Sequence, residues 1–233
     1  GLMVVHNFAS ELAGDPGWVW TVAPAMDHSG VGLCICYTRP MLVLKMDDRR
    51  LAADGSPADC VLAGLHDVMA DAPPDLVLSG VNRGNNSAEN TLYSGTFGGA
   101  MEAALQGLPA IALSQYYGPD YRDLPNTFEA ATEFGVETVR RILAHSPVES
   151  HGYRLFYNVN FPPVPAAAVK GIRLAPQGLR EGLGYSTEAH NSPSGRRFLW
   201  IKGGDQRRPT AEGSDANLNL AGYVSVTPLH LDM

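Results

Sequence analysis

A polar loop near the middle of the chain holds the side chains most able to do chemistry. Asn82 lies early in this loop, and Ser94, Gly95 and Thr96 close it just before a segment with helical periodicity. The first backbone N–H groups of a helix have no intrahelical acceptor, and together with nearby hydroxyl groups they can bind an anion such as phosphate. The pattern therefore predicts a phosphate site in this loop.

Two ordinary structural roles compete with that prediction. Ser94 is a typical N-cap residue, and the glycines after it allow tight packing of the helix. Asn82 and Asn85 are also typical turn residues, whose side chains bond their own backbone. The loop as a whole, residues 81–96, favours a functional role, because a connection so long and polar is uncommon in a compact domain.

The elements around the loop place it at the edge of a sheet. Residues 76–78 and 111–113 are short apolar runs typical of buried parallel strands. Between them, apolar side chains recur at helical spacing from residue 97 to residue 108. In open α/β sheets ligands bind outside the carboxyl ends of the strands, and the loop falls at such an end.

The rest of the chain continues this alternation of helices and strands. Helices are predicted at residues 1–13, from residue 57 onward, at 128–143 and at 214–220, and strands at 18–23, 32–37, 41–44, 153–159 and 223–227. The predicted fold class is therefore α/β, a Rossmann-like three-layer sandwich with a mostly parallel sheet. The loop after residues 18–23 also ends a strand, which makes His28 and Ser29 candidates for the site.

Residues 164–212 differ in character from the rest of the chain. Strand-like pieces alternate there with turns rich in Gly, Ser and Pro, which predicts a projecting β-hairpin arm. We expect residues 1–163 with 213–233 to form the catalytic core, and residues 164–212 to form an extension for oligomerisation. Apolar side chains on such an arm would be exposed unless a second subunit buries them. We therefore expect a homodimer or a homotetramer.

Composition excludes several classes of function. The net charge of −7 provides no general positive field for a long nucleic acid. No apolar stretch approaches the length of a membrane span. Three cysteines and no signal peptide at the start of the chain favour the cytoplasm.

Two further groups could bind a metal but are weak candidates. Cys34 and Cys36 have the spacing of a strand with both thiols on one face, and no second ligand pair accompanies them. Asp47 and Asp48 lie in a charged segment that is typical of a solvated turn. Both pairs are therefore interpreted as structural.

Seven segments, in order over nearly the whole chain, resemble the SurE survival-protein phosphatases, also described as 5′/3′-nucleotidases. They are HSGVG at 28–32, DGSPADCV at 54–61, PDLVLSGVNRGNN at 74–86, YSGTFGGAMEAAL at 93–105, GLPAIALS at 107–114, NVNFP at 158–162 and SDANLNLAGYVSVTPL at 214–229. The resemblance implies a metal-dependent hydrolase of phosphate monoesters, typically nucleoside monophosphates. It also implies a Rossmann-like core and dimers that exchange C-terminal elements, with tetramers also seen.

The resemblance also implies roles for single residues. Ser29 and Asn82 match metal-site residues for a divalent cation, most simply Mg²⁺ or Mn²⁺, and Asn82 would also contact the substrate. Ser94, Gly95 and Thr96 match the turn that holds phosphate, so Asn82 and Ser94 are the candidate catalytic residues. The family's two acidic metal ligands follow its first strand, and this sequence starts just beyond that point. We therefore expect the chain as printed to bind metal poorly.

Three questions of function stay open at this level. A phosphate or nucleotide-binding module without turnover is the alternative that missing acidic ligands would produce. A dinucleotide oxidoreductase is disfavoured, because no G-x-G-x-x-G motif follows a strand with an acidic residue about 20 positions on. Both a water molecule and an acidic side chain are open as the attacking nucleophile.

Overall fold

A five-stranded sheet forms the centre of the computed structural model, which describes residues 1–27, 29–118, 126–147, 155–182 and 184–231. Its strands are β4 (Val77–Arg83), β5 (Ala110–Gln115), β6 (Phe156–Phe161), β7 (Ile172–Leu174) and β10 (Val224–Leu229), in the order β4-β5-β6-β10-β7. Pairing is parallel except between β6 and β10. The loops after β4, β5 and β6 therefore lie at the same edge.

Two smaller sheets complete the strand inventory of the described residues. The strands β1 (Thr21–Pro24), β2 (Val43–Lys45) and β3 (Arg50–Ala53) form a sheet in the order β1-β3-β2. Residues 46–49 connect β2 to β3, and this connection holds Asp47, Asp48 and Arg49 of the charged turn that the sequence predicted. The strands β8 (Ser186–Asn191) and β9 (Arg197–Lys202) form an antiparallel hairpin.

Five α-helices in the described part of the chain flank the sheets. They are α1 (Leu2–Ala13), α2 (Pro57–Ala63), α3 (Gly95–Leu105), α4 (Glu129–His145) and α5 (Asp215–Leu220). Local sequence explains their ends. Ser56 caps α2 in a capping box with Asp59, and Gly14, with φ of 75°, ends α1 in the left-handed region.

The predicted three-layer α/β architecture is confirmed. Side chains of α1 and α4 cover one face of the large sheet, where Ile111 and Leu113 of β5 point. The apolar face of α3 covers the other, against Ala110 and Ala112 of the same strand. This alternation is what a parallel strand buried on both faces requires.

Some sequence predictions were wrong in detail. Residues 32–37 form no strand, so the interpretation of Cys34 and Cys36 as strand residues is incorrect, although both are free thiols. The strand β3 was missed because its first residue, Arg50, belongs to a charged run. The strand predicted at 153–159 is β6, shifted towards the C-terminus. Within the described ranges, every helix is too short or too polar to cross a membrane.

Candidate active site

An open cleft of about 1900 Å³ collects the predicted site residues. It lies between the edges of the two larger sheets, and strands β1 and β4 both line it. Ser29, Asn82, Ser94, Gly95 and Thr96 all contribute to its wall. The fold thus brings together residues that are up to 67 positions apart (96 minus 29). His28 lies outside the described residues.

The start of helix α3 forms one end of this wall. Ser94 is the N-cap, and its Oγ accepts the N–H of Phe97 at 3.0 Å. The capping interpretation is therefore correct, but it leaves the hydroxyl proton of Ser94 able to donate to a ligand. The backbone N–H groups of Gly95 and Thr96, in the first helical turn, have no intrahelical acceptor. Together with the positive end of the helix dipole, these donors suit an anion.

Asn82, near the end of β4, is half-buried and lines the cleft. Its Nδ2 donates to the carbonyl of Gly84 at 3.3 Å, which is the turn contact anticipated from the sequence. This bond uses one of the two N–H donors of the amide, so the second N–H and the side-chain oxygen can both meet a ligand in the cleft. An amide oxygen can accept a hydrogen bond or contact a cation.

Asn85 is a cleft residue that the sequence analysis treated only as a turn residue. Its Oδ1 accepts the N–H of Ser87 at 2.8 Å, which fixes the orientation of the amide. The side chain is 4% exposed, and Nδ2 has no hydrogen-bond partner among the described residues. Asn90, which also lines the cleft, has an unpartnered Nδ2 as well. Since buried polar groups are normally satisfied, these two amides are candidate donors to a bound phosphate.

Asparagine side chains at the ends of neighbouring strands hold the loop in place. The N–H of Asn86 donates to Oδ1 of Asn160 at 2.8 Å, and its Nδ2 donates to Oγ of Ser114 at 2.7 Å. Nδ2 of Asn158 donates to the carbonyl of Asn86 at 2.9 Å. These bonds are buried, so they tie the loop rigidly to the ends of β5 and β6.

The loop that carries Ser29 packs against the same helix start. Oγ of Ser29 donates to Oδ1 of Asp27 at 2.7 Å, and both side chains are exposed in the cleft. Further along, the N–H of Gly32 donates to the carbonyl of Tyr93 at 3.0 Å. Helix α3 reaches this loop at Gly98, where a Cβ atom would lie 2.5 Å from the carbonyl oxygen of Gly32. Glycine is therefore required for this approach.

A divalent cation would find an incomplete set of ligands in this wall. Ser29 and Asn82 offer neutral oxygens, and Asp27 is the carboxylate beside them. Within the described residues no three His, Cys, Asp or Glu side chains form a group that could hold a metal ion. Hard cations need more carboxylate charge than this, so the residues present do not by themselves fit Mg²⁺ or Mn²⁺.

Comparison with known proteins identifies the family. The model of the family described as Survival protein SurE matches residues 3–182. A protein named 5′-nucleotidase SurE from Roseobacter denitrificans is 75% identical over 233 residues, covering 100% of this chain and 89% of that protein. A protein of the same name from Jannaschia sp. is 60% identical over 235 residues, again covering 100% of this chain and 89% of that protein.

A solved structure gives the same result for the fold. The crystal structure of SurE protein from Aquifex aeolicus superimposes with a TM-score of 0.76 and 36% sequence identity, covering 98% of this chain and 87% of that one. The match of fold, sequence and family model over most of the chain confirms the resemblance inferred from the motifs. The chain belongs to the SurE family.

Proposed function

We propose that the cleft binds nucleoside monophosphates through their phosphate and that the chain hydrolyses the phosphate monoester bond. The observation that carries this proposal is the start of helix α3, where Ser94, Gly95 and Thr96 present donors to the cleft that the unpartnered Nδ2 of Asn85 also lines. The relatives named 5′-nucleotidase SurE are 60–75% identical over the full chain. At this identity the chain is a phosphoric monoester hydrolase, and a binding module without turnover is not favoured.

The chemistry assigned to the chain's own residues is electrostatic. Phosphoryl transfer depends mainly on positioning and on stabilising the charge that spreads over the phosphoryl oxygens. The N–H groups of Gly95 and Thr96 and the hydroxyl of Ser94 would donate to those oxygens from fixed positions. Asn85 would add a donor from the same cleft wall, and Asn82 would donate to the substrate through the second N–H of its amide.

Dependence on Mg²⁺ or Mn²⁺, and hydrolysis of 3′- as well as 5′-monophosphates, are the finer parts of the proposal. Both follow from the resemblance to the family. Because the described ligand set for a cation is incomplete, no step is assigned to a metal here. Ser29 and Asn82 remain the proposed contributors to such a site.

Phosphate release from adenosine 5′-monophosphate, adenosine 3′-monophosphate and an aryl phosphate tests these points separately. Each substrate is assayed with Mg²⁺, with Mn²⁺ and with a chelator. We expect release from both nucleotides, and a loss of activity with chelator would show that a divalent cation takes part although the described ligand set is incomplete. No release from any substrate under any condition would overturn the proposed hydrolase, whereas equal rates with and without chelator would overturn only the metal dependence.

We further propose a homodimer or homotetramer assembled through the hairpin β8–β9. All six residues of β9 are exposed, among them Phe198, Trp200 and Ile201, of which Ile201 is 72% exposed. An apolar strand of this kind is unusual on the surface of a monomer and is typical of an interface. A cytoplasmic location is proposed as well, since all three cysteines are free thiols.

A further inference from the structure

Arg180 is a buried charged residue shortly before the hairpin β8–β9, and its side chain is directed at the active-site loop, residues 81–96. The residue is 1% exposed. Its Nη1 lies 3.0 Å from Oε1 of Glu89, and its backbone N–H donates to the other carboxylate oxygen at 3.0 Å. Nη1 and Nη2 also donate to the carbonyl and Oγ of Ser87, at 3.2 and 2.9 Å. Nε donates to the carbonyl of Gln206 at 3.1 Å, so four of the five guanidinium N–H donors are hydrogen-bonded.

Asp215, the first residue of α5, holds the same loop from a second direction. Its carboxylate is fully buried. Oδ2 accepts the N–H of Ala88 at 2.9 Å, and Oδ1 accepts those of Gly178 and Ala216 at 2.8 and 2.7 Å. Burial raises the pKa of this carboxyl above its ordinary value, although the three N–H donors oppose that shift. Ala88 has φ of 53°, a backbone conformation that a residue other than glycine adopts only when its surroundings impose it.

These two residues share one target. Residues 87–89 form hydrogen bonds through a hydroxyl, a carbonyl, a backbone N–H and a carboxylate. All of the partner groups belong to Arg180 and Asp215, about 90 to 130 positions further along the chain. The segment connects Asn85 and Asn86 to Ser94 through the 3₁₀ helix Ala88–Tyr93. Buried charges are costly unless they are fully hydrogen-bonded. Here every nitrogen of the guanidinium and both carboxylate oxygens are hydrogen-bonded, and these bonds fix the backbone between Asn85 and the start of helix α3.

We propose that Arg180 and Asp215 are positioning residues, which fix residues 87–89 and so hold Asn85 and the start of helix α3 in the geometry that binds phosphate. Hydrolysis then depends on how the segments next to the hairpin β8–β9 pack against this loop. This inference rests on the proposed phosphatase function. Neither residue lines the cleft, so both act through the loop and not on the substrate. A displacement of about 1 Å in such a loop is enough to cost roughly 10²-fold in rate.

Steady-state kinetics of Arg180→Gln, Glu89→Gln and the double variant test the proposal, with melting temperatures measured in parallel. The double variant avoids leaving one buried charge unpaired, so it protects the test against a single variant that fails to fold. We expect each variant to lower kcat by about tenfold or more with a smaller change in KM, and the double variant to be no worse than either single one. Arg141→Gln is the matched control, because Arg141 forms an exposed ion pair with Glu137 at 2.6 Å and does not line the cleft.

Asp215→Asn extends the test to the second residue that holds the loop. Asp48→Asn is its control, since Asp48 pairs with Lys45 at the surface. We expect a similar loss of kcat for Asp215→Asn and none for the control. Folded variants with lowered melting temperatures and wild-type kcat would overturn the proposal, because a purely structural role predicts that result. If the wild-type protein releases no phosphate, the proposed function itself fails, and this outcome is seen before any variant is compared.

Discussion

Gly98 of helix α3 lies against the carbonyl of Gly32, so closely that a methyl group at position 98 would come within 2.5 Å of that oxygen. The contact sets how closely the loop that carries Ser29 approaches the start of helix α3 at Ser94. We expect Gly98→Ala to push the two apart and to lower kcat by roughly tenfold or more, because catalytic geometry tolerates little displacement.

Gly203→Ala is the control for this prediction, since a Cβ there would meet only ordinary van der Waals contact at 3.8 Å. Phosphatase kinetics and circular dichroism of both variants provide the measurement. Wild-type kcat in a folded Gly98→Ala protein would show that the loop adapts and that this contact does not control the site.

Removal of the side chains proposed to bind phosphate gives a second prediction. Asn82→Ala, Ser94→Ala and Asn85→Ala should each lower turnover by roughly 10²-fold, the scale of losing one preorganised transition-state donor. Ser94→Ala also loses the helix cap, at a cost of about 1 kcal/mol in stability. Ser94→Thr keeps both the cap and the hydroxyl and should retain most activity. Unchanged turnover in all three alanine variants would place the site elsewhere.

The sequence was sufficient for the parts of the site that depend on local pattern. The apolar runs at 76–78 and 111–113 predicted the two parallel strands, and the donors at Ser94 to Thr96 followed from ordinary helix-capping chemistry. Ser29 could be assigned to the site because it follows a predicted strand and matches a family motif, although β1 and β4 belong to different sheets.

The long-range supports could not be predicted in this way. Nothing in the local pattern around Arg180 or Asp215 indicates that both reach the loop at residues 87–89, because that depends on tertiary packing. Likewise Asn85 differs from a simple turn residue only in that burial leaves its Nδ2 without a partner. The strand predicted at residues 32–37 failed for a related reason, since alternating small and apolar residues there are used in an irregular segment against α2 and α3.

The thiols offer a prediction about pH. Burial, with a smaller contribution from Asp59, raises the pKa of Cys60 from 9.0 to about 12. Cys60 therefore stays protonated in the folded protein and should resist alkylation by iodoacetamide at about pH 8, since the thiolate is the reactive form. Cys34 is exposed and should react. Mass spectrometry of native and denatured samples identifies the labelled residue, and equal labelling of Cys34 and Cys60 in the native state would contradict the assignment.

The sign of the linked stability effect follows from the same shift. A thiol whose folded-state pKa lies above its unfolded value of 9.0 contributes stability that is complete below pH 9 and is lost as the pH rises towards about 12. The difference in free energy of unfolding between the wild type and Cys60→Ala should therefore shrink between about pH 8 and about pH 10.5. A difference that stays constant or grows over this range would show that Cys60 titrates normally.

The exposed strand β9 gives the last prediction, which concerns assembly. Phe198, Leu199, Trp200 and Ile201 are each more than half exposed, and they lie on a hairpin whose two strands pair only with each other in the described structure. A two-fold partner can bury such a surface reciprocally. Light scattering at micromolar concentration should give a mass of at least about twice the 24.9 kDa of one chain.

Replacing residues 188–200 with a short Asn-Gly turn shortens the hairpin but keeps Arg180 and Gln206, so the core should still fold. We expect that variant to be monomeric, and an unchanged mass would show that the subunits associate through another surface.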